Sequence, residues 1–538
     1  MPALKPRDLP LFSLAALMLA GVALSGDYYL ISLGVLVALY SIAAIGYQLL
    51  FGRLGLLVLS VGTFFGTGAY SAALATVEFA LPTSLALLLS ALVSACVAAL
   101  VALPVAKLKT HYIALATLGL AELGFLTVNN LKITGGANGL YGVPILSLLG
   151  LEIEDGLPLL VVAWAGVAAS LLLFRYVIKG ANAARLATLR EEPLAAASLG
   201  IEAWKVRLRL FALCGGLCGL AGGLQAFSLG VVSPAVMSFE IMVTLIAIVV
   251  VGGRGSARGA VIAAALLIPL PELFRSFEGA YLFLYGAALL GAIIVFPTGL
   301  EGMIQRFFPR RAPMPVAEEP QAANLTPHAL VIEGLSKRFG GNQVLDNISF
   351  EIAPASIVGL IGPNGSGKTT LINLLSGFET ADTGLMELSG TNLRPLSAAK
   401  RAQLGLARTF QNPKPAPELF AVELSGPAFG DKTVQLCSPS EVKQLDLARA
   451  SAQRAGLMLL DEPAAGLNAE ERQEMADQLR TLAKAGTTLL IVEHSMDFLL
   501  PLADRIICLE QGRVIADESP AEISANPLVQ AAYLGGRI

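Results

Sequence analysis

Gly362-Pro363-Asn364-Gly365-Ser366-Gly367-Lys368-Thr369, followed by Thr370, has the spacing of a loop that wraps phosphates. Its glycines let backbone N–H groups point inward around an anion. An apolar run, SIVGLI, precedes the loop, and a helix starting near Lys368 turns its positive end toward the phosphates. Lys368 reaches the β- and γ-phosphates, and Thr369 can hold Mg2+. Further along, the run LMLL ends in Asp461 and Glu462. A buried strand that closes on two carboxylates suits phosphoryl transfer, which chiefly needs positioning and placed charge. Asp461 suits Mg2+, directly or through water, and Glu462 suits the base that polarises the attacking water. His494 ends a second apolar run, TLLIVE, and is either a γ-phosphate sensor or a structural histidine. The chemistry is hydrolysis of ATP with Mg2+.

Composition says where such a site sits. The chain has 538 residues, 55% hydrophobic and 14% charged. Soluble domains carry roughly 25% charged residues, so much of this chain belongs in a lipid bilayer. Residues 1–320 hold 19 Lys+Arg and 16 Asp+Glu, against 18 and 24 in residues 321–538. The uneven split marks two physically different domains. Neither half is strongly basic, so nothing in the charge balance points to nucleic acid as a partner. The five cysteines lack metal spacing, and Cys214 and Cys218, four apart, suit helix packing. The apolar run after Lys5 and Arg7 lacks a small-residue cleavage site and reads as a retained first helix.

Apolar stretches near 11–26, 29–50, 56–77, 82–104, 111–128, 157–178, 208–228, 238–252, 259–274 and 280–300 predict about ten spans. With the N-terminus inside, seventeen Lys and Arg fall in internal loops, and only Lys132 and Arg275 fall outside. An even number of spans returns the chain to the cytoplasm for the second domain. Gly215, Gly216, Gly219, Gly222 and Gly223 predict close helix contacts. Glu122 and Glu240 fall inside or at the edge of spans. They either line a substrate route or sit at an interface or on a neighbouring helix.

The segments GRLGLLVLSVGTFFGTGAYSAAL, THYIALATLGLAELGFLTVNNLKITGGANGLYGVP and LATLREEPLAAASLGI resemble the M-type permease of bacterial branched-chain amino acid (Liv-type) transporters, over about residues 40–300. The resemblance makes the third segment, with Arg190, Glu191 and Glu192, the cytoplasmic loop that docks on an ATPase. The plainer alternative is a solvated connection. Residues 309–328 are a Pro-rich tether. Beyond it, GPNGSGKTTLINLLSGF, ARTFQN, LLDEPAAGLN and NPLVQAAYLG resemble ATP-binding cassettes, especially the G-type ATPase of Liv-type systems, over residues 329–538. That resemblance implies that Gln411 contacts Mg2+ and the attacking water. It also implies that Gly466, Leu467 and Asn468 lie at a dimer seam and that Phe339 stacks on adenine or is an ordinary aromatic.

Two features depart from the family. Anchored on Ala448-Arg449-Ala450, the signature loop becomes Cys437-Ser438-Pro439-Ser440-Glu441. The hydroxyl of Ser438 survives, Ser440 replaces a glycine, Glu441 adds negative charge partly offset by Lys443, and Pro439 has no N–H. This degenerate signature is expected to bind a partner's ATP poorly. Gln411 and Cys437 also lie only 26 positions apart, so most of a helical insert that grips the permease is missing. A sequence error, a decayed gene and a specialised subunit would each produce this pattern.

The expected fold is a polytopic α-helical membrane domain (1–308), the linker (309–328) and an α/β P-loop ATP-binding cassette domain with a shortened helical subdomain (329–538). The expected function is a fused permease/ATPase subunit of an importer for branched-chain amino acids or related small amino acids or amides. By resemblance it works with a second permease, a second ATP-binding subunit and a periplasmic substrate-binding protein. It is a multi-pass protein of the bacterial inner membrane, with both termini and the cassette cytoplasmic. The alternatives are an exporter half-transporter and an ATP-binding subunit with impaired hydrolysis.

Overall fold

A computed structural model describes residues 26–108, 110–148, 150–273, 286, 287, 290, 291, 294, 299–307, 326–415 and 434–534. The spans expected at 11–26 and 280–300, the 309–328 tether and the shortened insert lie largely outside the described residues. The described residues of Met1–Ala183 and Trp204–Arg310 form one compact unit, and those of Ala184–Ala203 with Arg311–Ile538 form another.

Among the described residues, the helices of the N-terminal half include α1 (Tyr28–Tyr47), α2 (Val61–Val77), α3 (Thr83–Val105), α4 (Thr110–Asn130), α5 (Leu157–Val177), α6 (Ala181–Glu191), α7 (Pro193–Ser198), α8 (Ala203–Leu229), α9 (Phe239–Gly252) and α10 (Ala257–Leu267). Among the described residues, five helices are long and apolar enough to cross a membrane: Tyr28–Arg53, Thr83–Val105, Tyr112–Asn130, Leu157–Val177 and Ala203–Leu229. The stretch at 56–77 becomes helical only from Val61, after Gly55 takes a left-handed turn at φ 67°. The stretch at 259–274 divides into α10 and Leu270–Leu273 around Pro269, which has no N–H to continue a helix.

The glycines of α8 let backbones touch. A Cβ at Gly222 would lie 1.9 Å from the Phe65 carbonyl oxygen, and one at Gly215 would lie 2.6 Å from that of Ser94. Any side chain there would force α8 away from α2 and α3. Cys214 and Cys218 are buried on α8, as helix packing requires. α1 continues into a π-helical turn, Gln48–Arg53. The Gln48 amide there donates to the carbonyls of Gly253 (2.9 Å) and Ser256 (3.1 Å) and accepts from Gly255 N–H (2.7 Å). One buried side chain thereby satisfies the backbone between α9 and α10.

The first unit holds four short strands, β1 (Leu140–Tyr141), β2 (Leu146–Leu148), β3 (Leu151–Ile153) and β4 (Val231–Val232), and the second carries two larger sheets. The antiparallel one runs β6 (Asn342–Ile352), β5 (Leu330–Phe339), β8 (Thr383–Leu388), β9 (Thr391–Asn392). The other runs β10 (Leu406–Arg408), β11 (Leu457–Asp461), β12 (Thr488–Val492), β7 (Ile357–Ile361), β13 (Arg505–Glu510), β14 (Arg513–Glu518), parallel from β10 to β13. Every residue of β7, β11 and β12 is buried. Strands covered on both faces read as unbroken apolar runs, as these do. Because β11, β12 and β7 are adjacent and parallel, the loops after them emerge side by side at one edge.

Within this unit, residues 184–203 pack on the cassette. Gln403 Nε2 donates to Gly200 O (3.0 Å), and Lys414 N–H donates to Glu192 Oε2 (3.2 Å). Ala187 is buried against Val434 and Leu445. The seat uses residues flanking the shortened insert. Among the described residues, this seat consists of polar contacts at Gln403 and Lys414 and a small apolar contact at Val434.

Candidate nucleotide site

The loop after β7 is the cradle. Gly362, Gly365 and Gly367 sit at φ 148°, 82° and 104°, values that only glycine takes without strain. A Cβ at Gly362 would lie 2.2 Å from Leu509 O, whereas one at Gly365 meets nothing within 4 Å. The loop is thus pressed onto the sheet at one end and open at its tip, where Asn364 is exposed beside half-buried Pro363. Lys368 begins the helix α11 (Lys368–Ser376). Its ammonium donates to Gly362 O (2.7 Å) and Pro363 O (3.0 Å), so it lies curled in the loop. Burial pushes its pKa down, while the carboxylates of Glu462 and Asp461 pull it back up. Ser366 Oγ is buried with no hydrogen-bond partner, and Thr369 is exposed with Thr370 half-buried beside it.

These features fit a nucleotide triphosphate. Lys368 has a positive charge to redirect, Ser366 an unused hydroxyl, and the loop an open anion-facing tip. Among the described residues no three His, Cys, Asp or Glu side chains form a metal cage. A cation here would share phosphate oxygens with Thr369, Asp461 and Gln411, an all-oxygen set suited to Mg2+.

Glu462 follows β11 at φ 49°, a left-handed conformation strained for a side-chain residue. Two residues hold its carboxylate: Gln411 Nε2 donates to Oε2 (2.7 Å), and His494 Nε2 lies 3.1 Å from Oε1. The three residues come from the loops after β10, β11 and β12 and meet because those strands are neighbours. Asp461 is 7% exposed; burial raises its pKa, and Arg408, 3.4 Å away, opposes the rise. Phe339 ends β5 at 45% exposure, with the Lys337 ammonium 5.1 Å from its ring centroid.

Two residues, Arg408 and Glu493, are singled out by no sequence motif, and a third, Lys443, has contacts that its motif does not predict. Arg408 joins Asp461 to Asn373 and Ser376 of α11. Lys443 donates to the carbonyls of Glu462 (2.9 Å) and Ala465 (2.6 Å), so it does not offset Glu441 as expected. Glu493, 3% exposed, accepts from the N–H groups of Ala464 (2.7 Å) and His494 (3.1 Å) and fixes the turns carrying Glu462 and His494. Its position between a buried run and His494 was the available signal.

Burial raises the pKa of Glu493, against the pull of its backbone donors. A carboxyl whose folded pKa exceeds its unfolded value stabilises the fold below the unfolded value, near 4.3. That contribution is lost as pH rises through the folded pKa. Glu493→Gln is therefore expected to flatten this part of the decline in stability, measured as tryptic protection of the cassette in the solubilised chain between acid and neutral pH.

The segment from Ser438 to Glu441 starts the helix α12 (Pro439–Ser451). Ser438 is its N-cap, accepting from Glu441 N–H (3.2 Å), while Glu441 Oε2 accepts from Ser438 N–H (2.7 Å). Ser440 Oγ lies 3.0 Å from Ser438 Oγ. The surviving hydroxyl and its own N–H are thus engaged within the cap.

Comparison with known proteins gives a consistent picture. The family model for the branched-chain amino acid transport system permease component matches residues 29–297. The ABC transporter model matches 345–465, and that of the branched-chain amino acid ATP-binding cassette transporter matches 513–538. The high-affinity branched-chain amino acid transport ATP-binding protein BraF of Pseudomonas aeruginosa is 32% identical, over 38% of this chain and 97% of that protein. Its counterpart LivG of Escherichia coli is 31% identical over the same shares. A crystal structure of the ADP conformation of an ATP-binding cassette of an ABC transporter is 26% identical, covering 39% of this chain and all of that one, at a TM-score of 0.37. The chain belongs to the branched-chain amino acid transport family of ABC transporters, as a membrane permease fused to an ATP-hydrolysing cassette.

Proposed function

We propose that the chain is one subunit of an ATP-driven importer for branched-chain amino acids or related small amino acids and amides. The grip of Gln411 and His494 on Glu462, beside the 362–370 loop and on one chain with a permease, is the observation that carries this. In this reading Lys368 leaves its loop carbonyls for the β- and γ-phosphates. Thr369, Gln411 and Asp461 hold Mg2+, which would offset phosphate charge when bound. Glu462 polarises water, His494 meets the γ-phosphate, and Phe339 stacks on adenine. The domains run 1–308, 309–328 and 329–538. The chain makes ten spans of the bacterial inner membrane, with termini and cassette cytoplasmic, a topology supported by the loop charges. A second permease, a second ATP-binding subunit and a periplasmic binding protein complete it.

Ser438, Ser440 and Glu441 leave the reciprocal site weak, because their capping contacts are internal. Ser440→Ala should therefore change hydrolysis by the complex by less than about twofold, a surface-sized effect. Loss of all activity would contradict this. The function itself is tested by uptake of labelled leucine, isoleucine and valine into proteoliposomes holding the complete complex. Uptake is expected to need ATP and to stop with Glu462→Gln. Efflux only, or no uptake of any small amino acid or amide, would refute it.

A further inference from the structure

The helix that follows the Ser438 cap also reaches into its own cassette. Lys443 and Asp446 lie three positions apart on α12, hence on one face. Leu447 and Ala450 anchor α12 in the core that also contains Leu460 and Ala464. Side chains on a helix fixed in this way are held more precisely than side chains on a loop.

From that face Lys443 reaches the loop after β11. Its ammonium donates to Glu462 O (2.9 Å) and Ala465 O (2.6 Å). Glu462 is the residue at φ 49°, and such a conformation persists only where neighbours over-determine it. One ammonium on two carbonyls of the same turn fixes both of its ends. Asp446 reaches the loop after β10. Its Oδ2 accepts from Phe410 N–H (2.8 Å), immediately before Gln411. Asp446 is 5% exposed and is itself paired with Arg449, whose guanidinium lies 6.0 Å from the Phe410 ring centroid. A backbone amide and an arginine thus satisfy a carboxylate removed from solvent. The space among Thr409, Phe410, Lys443, Asp446, Leu460 and Pro463 is about 10 Å³, at the lower limit for one water. The seam is close-packed, so a displacement on one side is felt on the other. What the two loops carry is the Gln411–Glu462 hydrogen bond of 2.7 Å.

We infer that α12 is a positioning element for its own chain's ATP site: Lys443 sets the Glu462 carboxylate and Asp446 the Gln411 amide, independently of what the Ser438 cap offers a partner. The claim rests on the base role given to Glu462 above.

The test is ATP turnover by the complete complex, read as kcat and KM, beside ATP retention and melting temperature. Lys443→Met comes first, because Lys443 is half-buried and its removal strands no buried charge. It should lower kcat by about tenfold, short of the ~100-fold cost of a 1 Å misplacement, and leave KM within about twofold. Lys443→Arg, whose fork can reach both carbonyls, should restore most of the rate. Asp446→Asn keeps an acceptor for Phe410 N–H and should stay within about threefold of wild type, while Asp446→Ala should lose about tenfold. Asp446→Ala also strands Arg449; if it unfolds the cassette, the Lys443 pair decides. The discriminating step is the Glu462→Gln background. There Lys443→Met should change the residual rate by less than about twofold, because a base that is gone cannot be misplaced. An equal loss in both backgrounds would make Lys443 a general packing residue or one that serves a partner's site, and would overturn the claim. So would an unchanged kcat in Lys443→Met, or a loss that lies entirely in KM. Turnover unchanged by Glu462→Gln alone would sink the base role and the positioning claim with it. Turnover lost there but untouched by Lys443→Met would sink the positioning claim alone.

Discussion

Replacing Glu462 with glutamine is expected to lower ATP turnover by about a hundredfold or more while nucleotide still binds. General-base assistance is worth roughly 10²–10⁴ in rate, and glutamine is isosteric but cannot take a proton. The surroundings make the substitution a clean probe. Gln411 Nε2 and His494 Nε2 each address one carboxylate oxygen, and Lys443 holds the Glu462 carbonyl at 2.9 Å. The left-handed φ of 49° is thus fixed by neighbours that the substitution leaves in place. Lys368 has its own contacts with Gly362 and Pro363, so the phosphate loop does not depend on Glu462 for its shape. The check is a single-turnover assay beside ATP retention measured by filter binding. Turnover within about tenfold of wild type would remove Glu462 from the base role, since that is below the usual range for such groups.

The cassette was legible where local pattern suffices. Buried runs ending in Asp461 and His494, and glycines before Lys368, have one common physical explanation. What pattern omits is which strand lies beside which. That Glu462 and His494 meet follows from β11 pairing with β12 and β12 with β7, and no residue of either strand announces its partner. The Ser438-x-x-Glu441 spacing is itself a capping box, yet Glu441 reads as a bare charge until the helix start is located. Lys443 was misread for a related reason. Its reach to Glu462 O and Ala465 O depends on the fold of the loop after β11. In the membrane half, hydropathy located helices but not their ends. Gly55 and Pro269 set those ends, and the π turn that aims Gln48 has no periodic signature. Glu122 stands out as a charge in an apolar helix, but that Thr63, Met237 and Met242 line the same pocket follows only from the packing.

Arg408→Met is expected to destabilise the cassette by about 3–5 kcal/mol, the usual cost of leaving one member of a buried ion pair behind. Arg408 is 4% exposed. Its guanidinium lies 5.1 Å from the ring centroids of both Phe378 and Phe410 and donates to Asn373 Oδ1 (2.7 Å) and Ser376 Oγ (2.8 Å). Its other nitrogen faces Asp461 at 3.4 Å. Burial pulls the guanidinium pKa down while Asp461 pulls it back up, and arginine stays charged through such shifts. Methionine keeps much of the packing between the rings and deletes only the charge and its forked donors. Asp461 then loses the cation that opposes its burial, so its pKa rises further. Stability should fall by roughly 10 °C in melting temperature for a domain of this size. Protonated Asp461 cannot hold a cation, so Mg2+-dependent hydrolysis should fall more steeply on acidification than in wild type. Arg408→Lys keeps a charge but not the fork or the ring stacking, and should lie between the two. Thermal unfolding with and without nucleotide, and hydrolysis titrated with Mg2+ at two pH values, separate these outcomes. An unchanged melting temperature with an unchanged pH profile would mean that the Asp461 charge is balanced elsewhere.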